Sequence, residues 1–286
     1  MPTEVSSPSP TRPVFSRQEL LRALTQDELV LAYQPTVNLV DGTVTGFAAL
    51  LRWAHPRLGL LGASRFIPLA ERYGIIPQID DWVFRTACRQ LATWQEDALV
   101  SRDFRMAVKV SGREVDGQHL VHRLVEVIGD TGVDPRGLMI DVTETCLIKS
   151  LEDARHTADG LHALGVKLAL DDFGIQYASF RRLHALKFDM LKIDREFVIN
   201  VDTDLGRAFI RTLVELGNSL GALTIGEGIE TPLQAAQLHT IGCHEGQGFC
   251  WAPGLSVRQA EQLLSRGEWP RRDTSTAWFP SFSSLA

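Results

Sequence analysis

Eight short apolar runs, most of them separated by segments of helical period, constrain this chain more than anything else in it. The runs are LVLAYQP, VTGFAALLRW, RMAVKV, GLMIDV, KLALDD, DMLKID, LTIGEG and EGQGF. Each is short and bounded by polar or Gly residues, as a buried strand requires. Between them lie IPQIDDWVFRTACRQLATW, SLEDARHTADGLHALG, LGRAFIRTLVELGNSLG and TPLQAAQLHTIG, whose apolar residues recur at helical spacing and several of which close on Gly. Strand and helix in alternation build a mostly parallel sheet, and eight strands favour a closed α/β barrel over an open doubly wound sheet. Asp41-Gly42, between the first two runs, is a hairpin signal, so the opening pair is expected to run antiparallel. No GxGxxG follows any run, which leaves dinucleotide binding without support.

A barrel of this kind takes about 250 residues as one unit, so the 286 residues are read as a single domain over residues 16–268. Residues 1–15 and 269–286 are rich in Ser, Pro and Thr and are expected to be flexible tails, the second carrying Trp278, Phe279 and Phe282. A formal charge of -6 gives no general attraction to nucleic acid polymers or to an anionic membrane. The four cysteines show no zinc-ligand spacing and are too sparse for a disulfide framework, so reduced, mostly buried thiols are expected. The first residues contain no apolar signal core, and no apolar run reaches the roughly 18 residues of a membrane span. A cytoplasmic protein is the expectation.

Chemistry in such a barrel belongs to the C-terminal ends of the strands. The polar residues there are Gln34, Arg52, Lys109, Asp141 with Glu144, Asp171 with Asp172, Lys192 with Asp194, Glu227 with Glu230, and Gln247. Carboxylates ending four separate strands converge on one mouth, a cluster suited to divalent metal or to acid and base work. For any one of them alone, a role as helix cap or strand-end acceptor is equally open. Asp171-Asp172 is the sharpest signal, because two adjacent carboxylates at the end of a buried strand cost several kcal/mol unless a cation or donor compensates them.

LAYQP, AALLRWAHPRLGLL followed by FIPLAERYG, AVKVSGREV, MIDVTET, LALDDFG, LKIDREFV, GEGIET and GCHEGQGF occur in an order and spacing that resemble the EAL-domain family over residues 20–264. The resemblance implies a modified (β/α)8 TIM barrel with one antiparallel strand near its start. It also implies hydrolysis of cyclic-di-GMP to pGpG in active members, which use two Mg²⁺ or Mn²⁺ ions.

Two positions lose the ligand that the resemblance implies for a metal site, and a third is shortened. Ala48-Ala49-Leu50 stands where the family reads Glu-Ala-Leu, and Lys109 stands at an Asn ligand position in Val108-Lys109-Val110-Ser111. Asp141, in Asp141-Val142-Thr143-Glu144, replaces a Glu ligand by a shorter carboxylate. Asp171, Asp172, Lys192, Glu227 and Gln247 match the remaining site positions. A two-metal site needs oxygen ligands enough to hold ions about 3.5 to 4 Å apart, and an ammonium near an expected ion repels it. Lys109 is therefore expected to pair with Asp141 and Asp171 in place of a metal, with no cofactor bound unless residual activity exists. Asp171, Asp172, Lys192, Glu144 and Glu227 are then remnants of a catalytic set. Ile175 and Gln176 replace Thr and Gly in the loop after the Asp pair, which argues further against regulated catalysis.

Gln34, Leu50, Arg52, Glu227 and Gln247 match positions that line the nucleotide groove, with Arg52 suited to a phosphate. Three readings follow: a receptor that binds cyclic-di-GMP without cleaving it, a module that works through an unidentified protein partner alone, and a residual phosphodiesterase. The resemblance also leaves a homodimer open.

Overall fold

The computed structural model describes residues 15–110, 119–143, 151–174, 183 and 185–266. Ser111, Glu144, Cys146, Ile175, Gln176, Trp278, Phe279 and Phe282 lie outside the described residues. The strands are β1 (Leu29–Asn38), β2 (Val44–His55), β3 (Gly59–Gly62), β4 (Arg105–Lys109), β5 (Leu138–Thr143), β6 (Lys167–Phe173), β7 (Met190–Ile193), β8 (Leu223–Gly226) and β9 (Glu245–Gln247). The helices are α1 (Arg17–Thr25), α2 (Ile67–Arg72), α3 (Ile76–Glu96), α4 (His119–Thr131), α5 (Leu151–Ala163), α6 (Arg195–Val198), α7 (Asp204–Leu220), α8 (Pro232–Ile241) and α9 (Val257–Arg266).

The sheet runs β1-β9-β8-β7-β6-β5-β4-β2, and a further β1–β2 pairing closes it into an eight-stranded α/β barrel. Strands β2 and β4 to β9 pair in parallel, whereas β1 meets β9 antiparallel through Thr36, Val37 and Asn38. The expected hairpin is present: Asn38 N–H donates to the Thr43 carbonyl, and Asp41 Oδ1 accepts from the Thr43 N–H. All eight expected strands form. A ninth, β3, pairs antiparallel with residues 52–55 of β2 outside the closed ring. The sequence reading missed it because Gly-Leu-Leu-Gly is too short to display a period.

The chain divides into two compact units, Met1–Val30 with Leu51–Ile79, and Leu31–Leu50 with Asp80–Ala286. The first holds an aromatic nucleus in which Trp53 packs against Phe15, His55 and Phe66, and its indole N–H donates to Glu28 Oε2 at 2.9 Å. The second carries the strands that position the site.

Strand geometry stacks the barrel interior of that second unit in layers, because residues two apart on a strand face the same way. Arg105 of β4 and Glu245 of β9 form the lowest, a buried ion pair of 2.5 Å. Above them Ala48, Ala107, Met139, Ala169, Met190 and Ile225 make a dry apolar floor. Each of the larger three contributes about 1.5 to 3 kcal/mol by leaving water. Two residues further along the same strands stand Leu50, Lys109, Asp141, Asp171, Lys192 and Glu227, so the charged layer rests on the floor. Outer helices fix the strands: α7 starts on Thr203, whose Oγ1 accepts from the Gly206 N–H, and stops at Gly221 with φ of 72°. Cys88 and Cys243 are buried. No helix among the described residues is long and apolar enough to cross a membrane.

Candidate nucleotide site at the barrel mouth

A cavity of about 290 Å³ opens above the apolar floor. Its walls carry Lys109, Asp141, Asp171, Asp172, Lys192 and Glu227, all at or near strand ends as the sequence led one to expect. Parallel pairing sets Lys109 beside Asp141, and Thr143 beside Asp171.

Lys192 is the centre of the cluster. Its Nζ donates to Asp141 Oδ2 at 2.7 Å and lies 2.8 Å from Glu227 Oε1 and 3.8 Å from Asp171 Oδ1, with a side chain only 4% exposed. Lys109, 53% exposed, approaches from the mouth: its Nζ is 2.7 Å from Asp171 Oδ2 and 3.3 Å from Asp172 Oδ2. This corrects one expected pairing. Lys109 joins Asp171 as anticipated, but Asp141 pairs with Lys192 from deeper in the barrel, and Asp172 takes its place at Lys109. The reason is depth, since Lys192 reaches the buried Asp141 while Lys109 turns toward the half-exposed Asp172.

Two ammoniums face four carboxylates, and burial decides how they share protons. Burial raises Glu227 to about 7, with Asp171 adding to the rise and Lys192 opposing it. Burial also raises Asp141, against the pull of Lys192. Asp171 goes the other way, because Lys192 and Lys109 together outweigh its burial and hold it below the ordinary carboxylate value. Burial alone would lower both lysines, but the surrounding carboxylates dominate and keep both ammoniums charged. Asp172 occupies the left-handed region with φ of 56°, a strained backbone of the kind that gathers at functional sites.

Asp171, Asp172 and Glu227 each offer an oxygen within 4.8 Å of the others, the one grouping among the described residues able to hold a metal ion. All three already carry an ammonium partner. Ala48 lines the same cavity and offers no oxygen. Asp141 Oδ1 and Asp171 Oδ1 are buried and find no hydrogen-bond partner among the described residues.

The remaining expected residues divide. Gln247 Nε2 donates to Gln34 Oε1 at 3.0 Å, and Gln34 Nε2 donates to the Ala252 carbonyl, so the two amides form one chain along the wall. Gln247 Oε1 is buried without a partner among the described residues. Leu50 packs on the apolar floor. Arg52 belongs to the first unit, where its Nη1 donates to the Leu51 carbonyl. Asp194 is a helix cap, accepting from the Glu196 N–H at the start of α6. Arg195 and Phe249 line the cavity and were not anticipated. Arg195 follows a strand-end Asp and Phe249 follows a Gly, and neither carried a signal of its own.

The EAL domain family matches residues 17–254. The chain is 35% identical over 260 residues to the cyclic di-GMP phosphodiesterase NbdA of Pseudomonas aeruginosa, covering 89% of this chain and 32% of that protein. It is 36% identical over 248 residues to the bifunctional diguanylate cyclase/cyclic di-GMP phosphodiesterase MucR of the same organism, covering 86% and 36%. The chain thus spans about a third of the length of these curated relatives. A solved complex of the MucR phosphodiesterase with c-di-GMP superimposes with a TM-score of 0.81 at 34% identity, covering 85% of this chain and 98% of that one. Taken with the closed barrel and its charged mouth, these matches mean that the chain belongs to the EAL domain family.

Proposed function

We propose that this EAL domain is a receptor that binds cyclic-di-GMP at the barrel mouth and does not hydrolyse it. The observation that carries the reading is the position of Lys109, whose ammonium stands 2.7 Å from Asp171 Oδ2 and 3.3 Å from Asp172 Oδ2. A divalent ion on these oxygens would sit within about 4 Å of that ammonium, a repulsion of several kcal/mol at the dielectric of a partly buried site. Ala48 adds no ligand to offset it. A pair of divalent ions therefore does not fit this donor set, and no hydrolytic step is assigned to it.

The groove keeps features suited to a nucleotide. Gln247 and Gln34 present amide groups to a base edge or a bound water, and Leu50 with the exposed Phe249 offers apolar surface beside the cavity. NbdA is named for cyclic di-GMP hydrolysis and MucR is solved with c-di-GMP, which supports the same ligand here.

A second reading, residual metal-dependent hydrolysis to pGpG, rests on the grouping of Asp171, Asp172 and Glu227 and on Asp171 Oδ1, which accepts no hydrogen bond among the described residues. Prolonged incubation of the protein with cyclic-di-GMP and excess Mg²⁺ or Mn²⁺, followed by chromatography, separates the two. Intact nucleotide supports the receptor, and stoichiometric conversion to pGpG supports the second reading.

A further inference from the structure

We propose that Arg195 is a phosphate-binding residue held in reserve by Glu230, the two forming a latch at the rim that a dianionic cyclic dinucleotide opens. The inference rests on the receptor reading and names the group that meets the ligand's charge. The need for such a group follows from a count. Asp141, Asp171, Asp172 and Glu227 face Lys109 and Lys192, four carboxylates against two ammoniums, so among the described residues the interior has no positive charge to spare for two phosphodiesters. Lys192 is also enclosed by its carboxylates.

Arg195 differs on each point. It opens α6 directly after the capping Asp194, lines the same cavity, and pairs through Nη2 with Glu230 Oε1 at 2.6 Å. Both partners are half in water, at 56% and 44% exposure, and an ion pair so exposed adds little stability. Exchanging Glu230 for a phosphate oxygen therefore costs little, while a guanidinium gains a planar, two-pronged contact that an ammonium cannot make.

The arginine also has a built seat. Gly228 lines the cavity with φ of 66°, and a Cβ there would lie 2.4 to 2.8 Å from Arg195 Cγ, Cβ and Cδ. The bare glycine thus leaves room for the stem of Arg195, so the stem is held while the head group is free to change partner. Glu230 is anchored independently, since its N–H donates to Gln234 Oε1 in the capping box of α8. Swinging Arg195 away does not require the loop to move.

Calorimetric titration with cyclic-di-GMP in EDTA, on the full chain and on Glu230→Gln, Arg195→Gln and the double variant, tests the latch, with thermal melts in parallel. Freeing Arg195 by Glu230→Gln is expected to tighten binding by roughly two- to fivefold, Arg195→Gln to weaken it by roughly tenfold, and the double variant to match Arg195→Gln. Glu230→Gln binding no tighter than wild type overturns the proposal, as does a double variant that behaves like Glu230→Gln alone. Binding by Glu230→Gln with none by wild type keeps the latch but defeats the receptor reading of the unmodified chain. Absence of binding in every variant overturns both.

Discussion

Lys109 Nζ lies 2.7 Å from Asp171 Oδ2, so a protein cation stands on a carboxylate that, in a metal-dependent relative, the resemblance assigns to an ion. A fixed ammonium cannot be removed by a chelator and cannot activate water. Restoring oxygen ligands should reverse this. The variant Ala48→Glu/Lys109→Asn is expected to bind Mn²⁺ at least tenfold more tightly than wild type by calorimetry, and its melting temperature to rise with added Mn²⁺ where that of wild type does not. Equal Mn²⁺ affinity in both proteins would contradict the role given to Lys109.

Lys192 holds the interior together electrostatically. Replacing it by Met leaves Asp141, Asp171 and Glu227 without their buried cation, and removing one partner of a buried ionic set costs about 3 to 5 kcal/mol. Urea unfolding should show that loss near neutral pH and a smaller one near pH 5, where protonation relieves Glu227. An equal loss at both pH values would show that packing, not charge, is what Lys192 supplies.

Glu227 gives the site a pH signature. Its folded value of about 7 lies above the ordinary 4.5, so the native state binds its proton more tightly than the unfolded chain does. Its stabilising contribution is complete below pH 4.5 and is lost as pH rises through about 7. Asp141, also raised, acts in the same direction, whereas Asp171, lowered, acts below pH 4. Stability measured by denaturant between pH 5 and 7.5 should therefore fall less steeply in Glu227→Gln than in wild type, by a difference on the order of a few kcal/mol across the window. An unchanged slope would mean that Glu227 is ionised throughout.

At the other end of the barrel, the buried pair of Arg105 and Glu245 predicts a stability effect without a binding effect. Glu245→Gln should cost about 3 to 5 kcal/mol in urea unfolding, because it strands a buried guanidinium. Once folded, the variant should bind cyclic-di-GMP as wild type does, since the apolar floor separates the two layers. A weakened affinity equal to that of Arg195→Gln would show that the layers are coupled.

Most of the frame was readable from sequence for a physical reason. Strands such as KLALDD and DMLKID are buried on both faces, so their apolar runs stand out, and the polar residue that ends each one is forced to the mouth. That logic located Lys109, Asp141, Asp171, Lys192 and Glu227. It could not tell Asp194 from a ligand, because a helix cap and a site carboxylate look alike at the end of a strand, and the structure makes Asp194 a cap. It gave Lys109 the wrong second partner, Asp141 instead of Asp172, because that choice is set by depth within the barrel. β3 was too short to signal itself, and Arg195 reaches the cavity only because Gly228, more than thirty positions away in the chain, leaves room for its stem.

Whether this barrel holds cyclic-di-GMP without metal is decided by calorimetric titration of the purified protein with cyclic-di-GMP, in EDTA and again in Mg²⁺. Equal dissociation constants of about 1 μM, or −8 kcal/mol, in both buffers are the result expected of a metal-free receptor. Binding that appears only with Mg²⁺, or no heat in either buffer, would contradict it.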